Sequence, residues 1–240
     1  MRLLTFDRFH QLTFFPSWFP VNSYLVEDEE ALTLIDCALP FSSRGIIQAA
    51  EQLGKPVTRI VLTHPHSDHV GALDAVKQKF RDAAVIVSRR DARLLAGKTD
   101  LDPDEPQMPI RGGIPKNVKT IPDQLVQDGD TIGSLQVVSC PGHTPGHMAL
   151  FDKRSGALFA GDAFQTRAGI AVSGQIRPLF PFPALATWNK KAACVSARKL
   201  SQLKPRYLAV GHGNVLEYPE QAMARALTQA EQKLGMMDHA

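Results

Sequence analysis

Four of the six side chains in His64-Pro65-His66-Ser67-Asp68-His69 can bind a metal ion, and their spacing says how. Pro65 steers His64 away from the helical region, so the segment starts extended. Side chains alternate along extended chain, which predicts His64, His66 and Asp68 on one side and His69 elsewhere. Six residues could then feed two metal positions, with His64 and His66 at one and Asp68 and His69 at the other. Imidazole and carboxylate donors suit zinc best, with iron or manganese as the other candidates. The bland alternative is a solvated polar loop; so many donors directly after an apolar strand argue against it.

Further donors are sought among the remaining histidines: His10, His143, His147, His212 and His239. Two short stretches stand out. Cys140-Pro-Gly-His-Thr-Pro-Gly-His147 follows the apolar run Leu135–Val138, and Ala209-Val-Gly-His-Gly213 follows Arg206-Tyr-Leu. Between them, Leu158-Phe-Ala-Gly-Asp162 places a carboxylate just past a glycine. All four stretches read as a short apolar strand and then a tight turn carrying a ligand-type side chain. Such turns converge when their strands lie side by side. Glycine at 142, 161, 211 and 213 would let backbone approach a crowded centre.

These motifs, in this order and over nearly the whole chain, resemble the metallo-β-lactamase-fold hydrolases. The resemblance implies a first metal held by His64, His66 and His143, a second held by Asp68, His69 and His212, and Asp162 bridging both. This seven-ligand set is similar to the hydroxyacylglutathione hydrolase and lactonase branches more than to the antibiotic-degrading lactamases. His147 matches a recurrent family histidine that usually supports the centre without ligating. The fold implied is α+β, a four-layer αββα sandwich, read here as one domain over residues 1–240.

The elements that must position these residues are legible in part. Leu3–Phe6, Leu12–Phe15, Ser23–Val26 and Ala31–Ile35 read as strands separated by turn residues. Phe14, Phe15, Trp18 and Phe19, broken by Pro16 and Pro20, either wall a substrate or pack a hairpin onto the sheet. Asp36, at a strand end, is placed to hydrogen-bond the metal-binding loop. Ser42 or Ser43 can cap a helix with Ile46, Ile47, Ala50 and Leu53 on one face, ended by Gly54 and Pro56. Arg59–Leu62 is a strand delivering His64; Leu73, Val76 and Phe80 mark a helix, and Ala84–Val87 the next strand. Strands alternating with helices imply a sheet covered by helices.

Residues 98–117 lose periodicity and form a long loop; Asp100, Asp102, Asp104 and Glu105 lack the glycine and glutamate of a calcium loop. Strands return over 118–160 around a hairpin-type turn at Asp128-Gly129-Asp130. Residues 163–183, with Arg167, Arg177, Phe164, Phe180 and Phe182, form either a lid over the metals or a crossover packed by its own aromatics. Residues 184–203 read as a helix whose Lys190, Lys191, Arg198 and Lys199 make a solvated basic face. Pro219 fits the first turn of a last helix running to about Lys233.

Composition narrows the function classes. The chain has 240 residues, 44% hydrophobic, with a net charge of +3 and a pI near 8.8. So mild a charge gives no reason to propose nucleic acid or an anionic membrane as partner. Three cysteines, Cys37, Cys140 and Cys194, none in a Cys-x-x-Cys, point to a reducing compartment. Cys37 and Cys140 end predicted strands, where they either line the pocket or fill space. Asp7 and Arg8 interrupt the apolar core a signal sequence needs, so a cytoplasmic protein is expected, unlike an exported resistance lactamase.

Two zinc ions per chain, roughly 3.5–4 Å apart, would lower the pKa of a shared water and polarise a carbonyl. Asp68, near the nucleophile, is the candidate catalytic carboxylate, helping to steady the departing alkoxide or thiolate. The expected activity is hydrolysis of a small-molecule ester, thioester or lactone. The alternatives are a mono-iron, persulfide-dioxygenase-like oxidoreductase and a non-catalytic binding protein. Di-iron relatives usually carry glutamate where this chain has His66, and non-catalytic relatives generally lose ligands.

Overall fold

A computed structural model describes residues 1–236; His239 lies outside the described residues. Strands β1 (Arg2–Thr5), β2 (Phe9–Phe14), β3 (Val21–Glu27) and β4 (Leu32–Ile35) form an antiparallel meander. Strands β5 (Val57–Leu62), β6 (Ala84–Ser88) and β7 (Gln124–Val126) extend it in parallel to a seven-stranded sheet. Helices α1 (Ser43–Leu53), α2 (Ser67–Val70), α3 (Leu73–Lys79) and α4 (Ala92–Leu95) lie in the connections.

The second sheet holds β8 (Thr131–Ile132), β9 (Leu135–Ser139), β10 (Met148–Asp152) and β11 (Ala157–Phe159). A small hairpin of β12 (Phe164–Gln165) and β13 (Ala171–Val172) follows, then α5 (Phe182–Leu185) and α6 (Lys190–Ser201). Strand β14 (Tyr207–Ala209) returns parallel to β11, and β15 (Leu216–Glu217) closes the edge before α7 (Glu220–Leu234). The order across this six-stranded sheet is β15-β14-β11-β10-β9-β8.

Strand alternation sorts the side chains into three cores. On β4 to β6, Leu34, Ile60, Leu62, Val85 and Val87 pack outward with α1 and α3. Their neighbours Ile35, Val61 and Ile86 point the other way and meet Val137, Met148, Leu150, Phe159 and Ala209 of the second sheet. That sheet's own outer residues, Val138, Ala149, Leu158 and Leu208, pack with α6 and α7. A strand buried on both faces reads as a continuous apolar run, which is why these strands are visible in the sequence. The result is helix, sheet, sheet, helix: the αββα sandwich.

Several expectations need correction. The first strands lie a few residues from the predicted bounds, and Asp128–Asp130 is not a hairpin, because it joins β7 of one sheet to β8 of the other. Ser42 precedes α1, but its hydroxyl makes no capping bond and is buried without a partner. The helix expected over 184–203 is broken at Thr187–Asn189. The Asn189 side chain accepts the Ala192 N–H at 3.0 Å and starts α6 afresh. The loop over 98–117 has no regular element, as expected, and three of its acids are tied down. Arg90 grips both oxygens of Glu105 at 2.6 and 2.7 Å, and Arg93 pairs with Asp100 and Asp102. Among the described residues no helix is long and apolar enough to cross a membrane.

Candidate metal centre

The four ligand-bearing stretches all meet at one edge of the sandwich. His64 follows β5, His143 and His147 lie between β9 and β10, Asp162 follows β11, and His212 follows β14. Because β10, β11 and β14 are neighbours, their turns lie together. The two sheets join here as well: the Met148 N–H donates to the Thr63 carbonyl at 3.1 Å. Three groups of donor atoms each fall within 4.8 Å: His64, His66 and His143; His64, His69 and Asp162; Asp68, His69 and His212.

The strict alternation expected through Asp68 stops at His66. That residue is extended (φ −67°, ψ 148°), but Ser67–Val70 is a turn of helix. The turn swings His69 back over His64, with ring centroids 4.1 Å apart, so His69 faces the same centre.

Each candidate histidine has one ring nitrogen occupied outside the centre, which leaves the other facing in. Asp36 accepts the Thr63 hydroxyl at 2.7 Å and the His69 Nδ1–H at 2.9 Å. With its proton given to Asp36, the Thr63 oxygen accepts from His64 Nδ1 at 3.1 Å. His66 Nε2 donates to the Arg111 carbonyl at 2.9 Å, and His212 Nδ1 to the Pro20 carbonyl at 2.7 Å. For His143 the direction follows from a relay: Thr187 donates to the Pro183 carbonyl, Ser173 to Thr187, and so His143 Nδ1 to Ser173 at 3.0 Å. Partners of this kind fix tautomer and ring orientation in metal sites.

The inward atoms fit a metal. His64 Nε2, His69 Nε2 and Asp162 Oδ1 are buried with no hydrogen-bond partner, a costly state for polar atoms in a protein interior. His66 Nδ1 and His143 Nε2 stand 3.0 Å apart, yet both rings have placed their protons elsewhere, so two lone pairs face each other. A shared cation removes that conflict. Asp162 is poised between the groups, with Oδ1 3.4 Å from His69 Nε2, and Oδ2 3.3 Å from His143 Nε2 and 3.2 Å from His212 Nε2. Asp68 Oδ2 lies 3.4 Å from His212 Nε2.

Electrostatics agrees. Burial strips protons from His64, His66 and His143, pushing all three below the ordinary imidazole range. Burial acts the same way on His69 and His212, but the carboxylates beside them win; His69 is pushed up, and His212 up to about 10. Burial works against ionised Asp68 and Asp162, yet the hydrogen bond from His212 at Asp68, and the charges of His212 and His69 at Asp162, hold both carboxyls below their usual range. The centre demands positive charge, as protons or as metal ions that displace them.

His147 stands apart from these groups. Its Nε2 accepts the Asp162 N–H at 3.1 Å, and its Nδ1 lies 3.1 Å from Cys140 Sγ. Burial pushes it down to about 3, so it is a neutral brace for Asp162. Cys140 and Cys37 are free, buried and away from the cleft; Cys37 fills core space, and Cys140 also meets the His147 ring.

Above the donors opens a cleft of about 370 Å³, walled by Phe19, Leu39, Pro40, Phe182, Pro183 and Ala186. Phe19 is the one aromatic of its stretch to reach the cleft; Phe14 is core, and Phe15 and Trp18 are exposed outside it. In the 163–183 stretch only its last residues form wall, with Phe180 packed behind them against His212 at 5.5 Å between centroids. The far wall, Gly113, comes from the 98–117 loop.

Sequence reasoning missed the supports of that wall and of the ligand turns. Gly112 (φ 87°) lies so close to His66 that any Cβ there would strike the ring. Asp91 is fully buried; it accepts the Gly146 N–H at 2.8 Å and the Thr144 hydroxyl, steadying the turn that carries His143. The helix break at 187–189 donates Trp188 N–H and Asn189 N–H to the carbonyls of His143 and Gly142. No spacing signal marks these residues, because each acts through a contact distant in sequence. Of the glycines expected to allow close approach, Gly211 does so directly: a Cβ there would strike Asp162.

Fold and donor set together define an αββα protein whose clustered donors could hold metal ions. The chain belongs to the metallo-beta-lactamase superfamily, whose family model matches residues 16–212. It is 57% identical over 231 residues to the uncharacterized protein YobT of Bacillus subtilis (strain 168), covering 96% of this chain and 99% of that protein. It is also 29% identical over 214 residues to the probable metallo-hydrolase YflN of the same organism, 80% of each chain. Among solved structures, a metallo-beta-lactamase from Pontibacter korlensis superposes with a TM-score of 0.72 at 20% identity, covering 96% of this chain and 98% of that one. At that identity the likeness speaks for the fold alone.

Proposed function

We propose that this chain is a binuclear zinc-dependent hydrolase that cleaves the carbonyl ester, thioester or lactone bond of a small molecule. The observation that carries the reading is the donor set. Five histidines each hold one ring nitrogen inward while the other is occupied outside, and Asp162 reaches across all the groups. His64, His66 and His143 would hold one ion, Asp68, His69 and His212 the other, and Asp162 would contact both. Bound there, divalent cations supply Lewis-acid polarisation of a carbonyl and a water deprotonated at neutral pH.

The chain's own residues do the rest. Phe19, Leu39, Pro40 and Phe182 exclude water beside the reacting carbonyl and orient the substrate. Asp68, ionised and partly exposed at the cleft floor, is the group placed to accept a proton there and pass it to the leaving group. Asp36, Thr63, Ser173 and the Arg111 and Pro20 carbonyls hold the imidazoles in place while charge develops. Neutral apolar walls and a mild net charge support a small acyl substrate over nucleic acid, and a cytoplasmic setting fits the free cysteines.

The test is metal content of protein purified without added metal, together with a panel of lactone, thioester and aryl-ester substrates. About two zinc ions per chain with chelator-sensitive hydrolysis is the expected result. A single iron, with oxygen consumed and no ester cleaved, would overturn the reading in favour of a dioxygenase.

A further inference from the structure

The mouth of the cleft differs in kind from its floor. Phe15, Trp18, Phe41, Leu179, Phe182 and Leu185 are large apolar side chains left exposed. Each belongs to a segment that builds the cleft wall: Phe15 and Trp18 precede Phe19, Phe41 follows Pro40, and Leu179 and Leu185 flank Phe182 and Pro183. Ring contacts tie two of them to the wall segments of other stretches, Phe15 with Phe41 at 5.1 Å and Phe182 with the cleft residue Phe19 at 5.0 Å between centroids. Trp18, next to Phe19 in the chain, and Leu179, three residues before Phe182, are 86% and 88% exposed. Single exposed apolar residues are ordinary, but a group of them around one opening marks a surface that something covers. Among the described residues no lysine or arginine lines the cleft, so along the walls an anionic substrate group finds no side-chain cation.

We propose, resting on the hydrolase reading above, that the substrates are neutral esters or thioesters with a long aliphatic acyl chain. The carbonyl sits at the cleft floor and the chain runs out along the collar, covering Phe182 and then Leu179 or Trp18. In the reaction the acyl C–O or C–S bond breaks and the oxygen of water forms the new bond to the acyl carbon. One water proton goes to the departing alcohol or thiol, and the other leaves as the fatty acid ionises. Continuity between the collar and the catalytic floor is what selects a substrate chain as the occupant: the same segments build both.

The experiment compares acetyl to decanoyl esters of one chromogenic alcohol on the zinc-loaded full chain. Each methylene buried on the collar adds affinity, so kcat/KM should rise about tenfold or more along the series. The double variant Trp18→Ser, Leu179→Ser should flatten that rise. A second readout does not depend on turnover: Trp188 is buried at 3% exposure, so a shift in tryptophan emission on adding 1-decanol reports Trp18. A blue shift that is lost in Trp18→Phe is expected. Equal turnover of acetyl and decanoyl esters, with no emission shift, overturns the proposal while leaving the hydrolase reading intact. A blue shift that follows protein concentration and ignores decanol overturns it too, and assigns the collar to a second copy of the chain. No hydrolysis at any chain length would instead overturn the hydrolase reading, and the decanol titration would still test the collar.

Discussion

The turn after β5 and the turn after β14 deliver ligand-type side chains to one centre, but they are held by different means. Behind β5 a single carboxylate serves two imidazoles: Asp36 bonds His69 directly and His64 through Thr63. Asp36 takes a left-handed backbone conformation to do so (φ 58°), a strained state that persists where the surroundings impose it. Behind β14 the anchors are neutral and distant. His212 bonds the Pro20 carbonyl, and every carbonyl of its turn accepts from outside. Val210 accepts from Asn22 and Tyr24, Gly211 from the Asn22 N–H, His212 from the N–H groups of Thr166 and Arg167, and Gly213 from Gln11 and Asn22. This clamp leaves Asn22 Oδ1 and Gln11 Oε1 buried without partners, at a cost of about 1–3 kcal/mol each. A carboxylate behind an imidazole makes the ligand more basic; an amide on a carbonyl only fixes position.

Variants can break that contrast. The largest effect is expected where the two sides meet: Asp162→Ala should lower turnover on the order of 10³-fold, with metal content falling below two per chain and the fold kept by circular dichroism. Turnover near wild type would remove the binuclear reading altogether. Next comes Asp36→Asn, which withdraws charge from His64 and His69 together. Competition against a chelator should show both metals bound about 10–100-fold more weakly. Asn22→Leu loosens only the His212 turn, so the second metal alone should weaken, by about tenfold, with a first-site affinity like wild type. If Asn22→Leu and Asp36→Asn weaken the same sites equally, the distinction between charge and position is wrong.

The same contrast explains what could be read from sequence. The donors on the first side lie within six residues, and Asp36 ends an apolar strand, so both were visible as local pattern. Continuous apolar runs on strands buried on both faces, such as Ile60–Leu62, made the sheets visible too. Pro20, Asn22, Asp91, Arg111 and Thr187 carry no local signature. Each acts on a residue dozens to nearly two hundred positions away, and the contact exists only once the sheets have packed. The break at Thr187–Asn189 did have a local mark, since Thr, Trp and Asn are weak helix formers and Asn suits an N-cap; its role was hidden, because the backbone bonds to Gly142 and His143 exist only in the packed fold.

The smallest effect on turnover is expected at Asp91, which sharpens the comparison because it is a carboxylate that touches no ligand ring. It holds the His143 turn through the Gly146 N–H and the Thr144 hydroxyl. If charge matters only when it backs an imidazole, Asp91→Asn should bind both metals nearly as wild type does. Its signature lies in stability. Burial pushes this carboxyl up from 3.8 to about 6, against the two hydrogen bonds that favour its charged form. The folded chain therefore holds a proton the unfolded chain has released, and that contribution is full below the unfolded value and lost as pH rises through about 6. Asparagine has no such titration. With metal chelated from both proteins, urea unfolding should show wild type losing about 3 kcal/mol relative to Asp91→Asn between pH about 4 and about 7. Parallel pH curves for the two proteins would mean that folding leaves this carboxyl at its unfolded value, the Gly146 and Thr144 bonds just offsetting its burial.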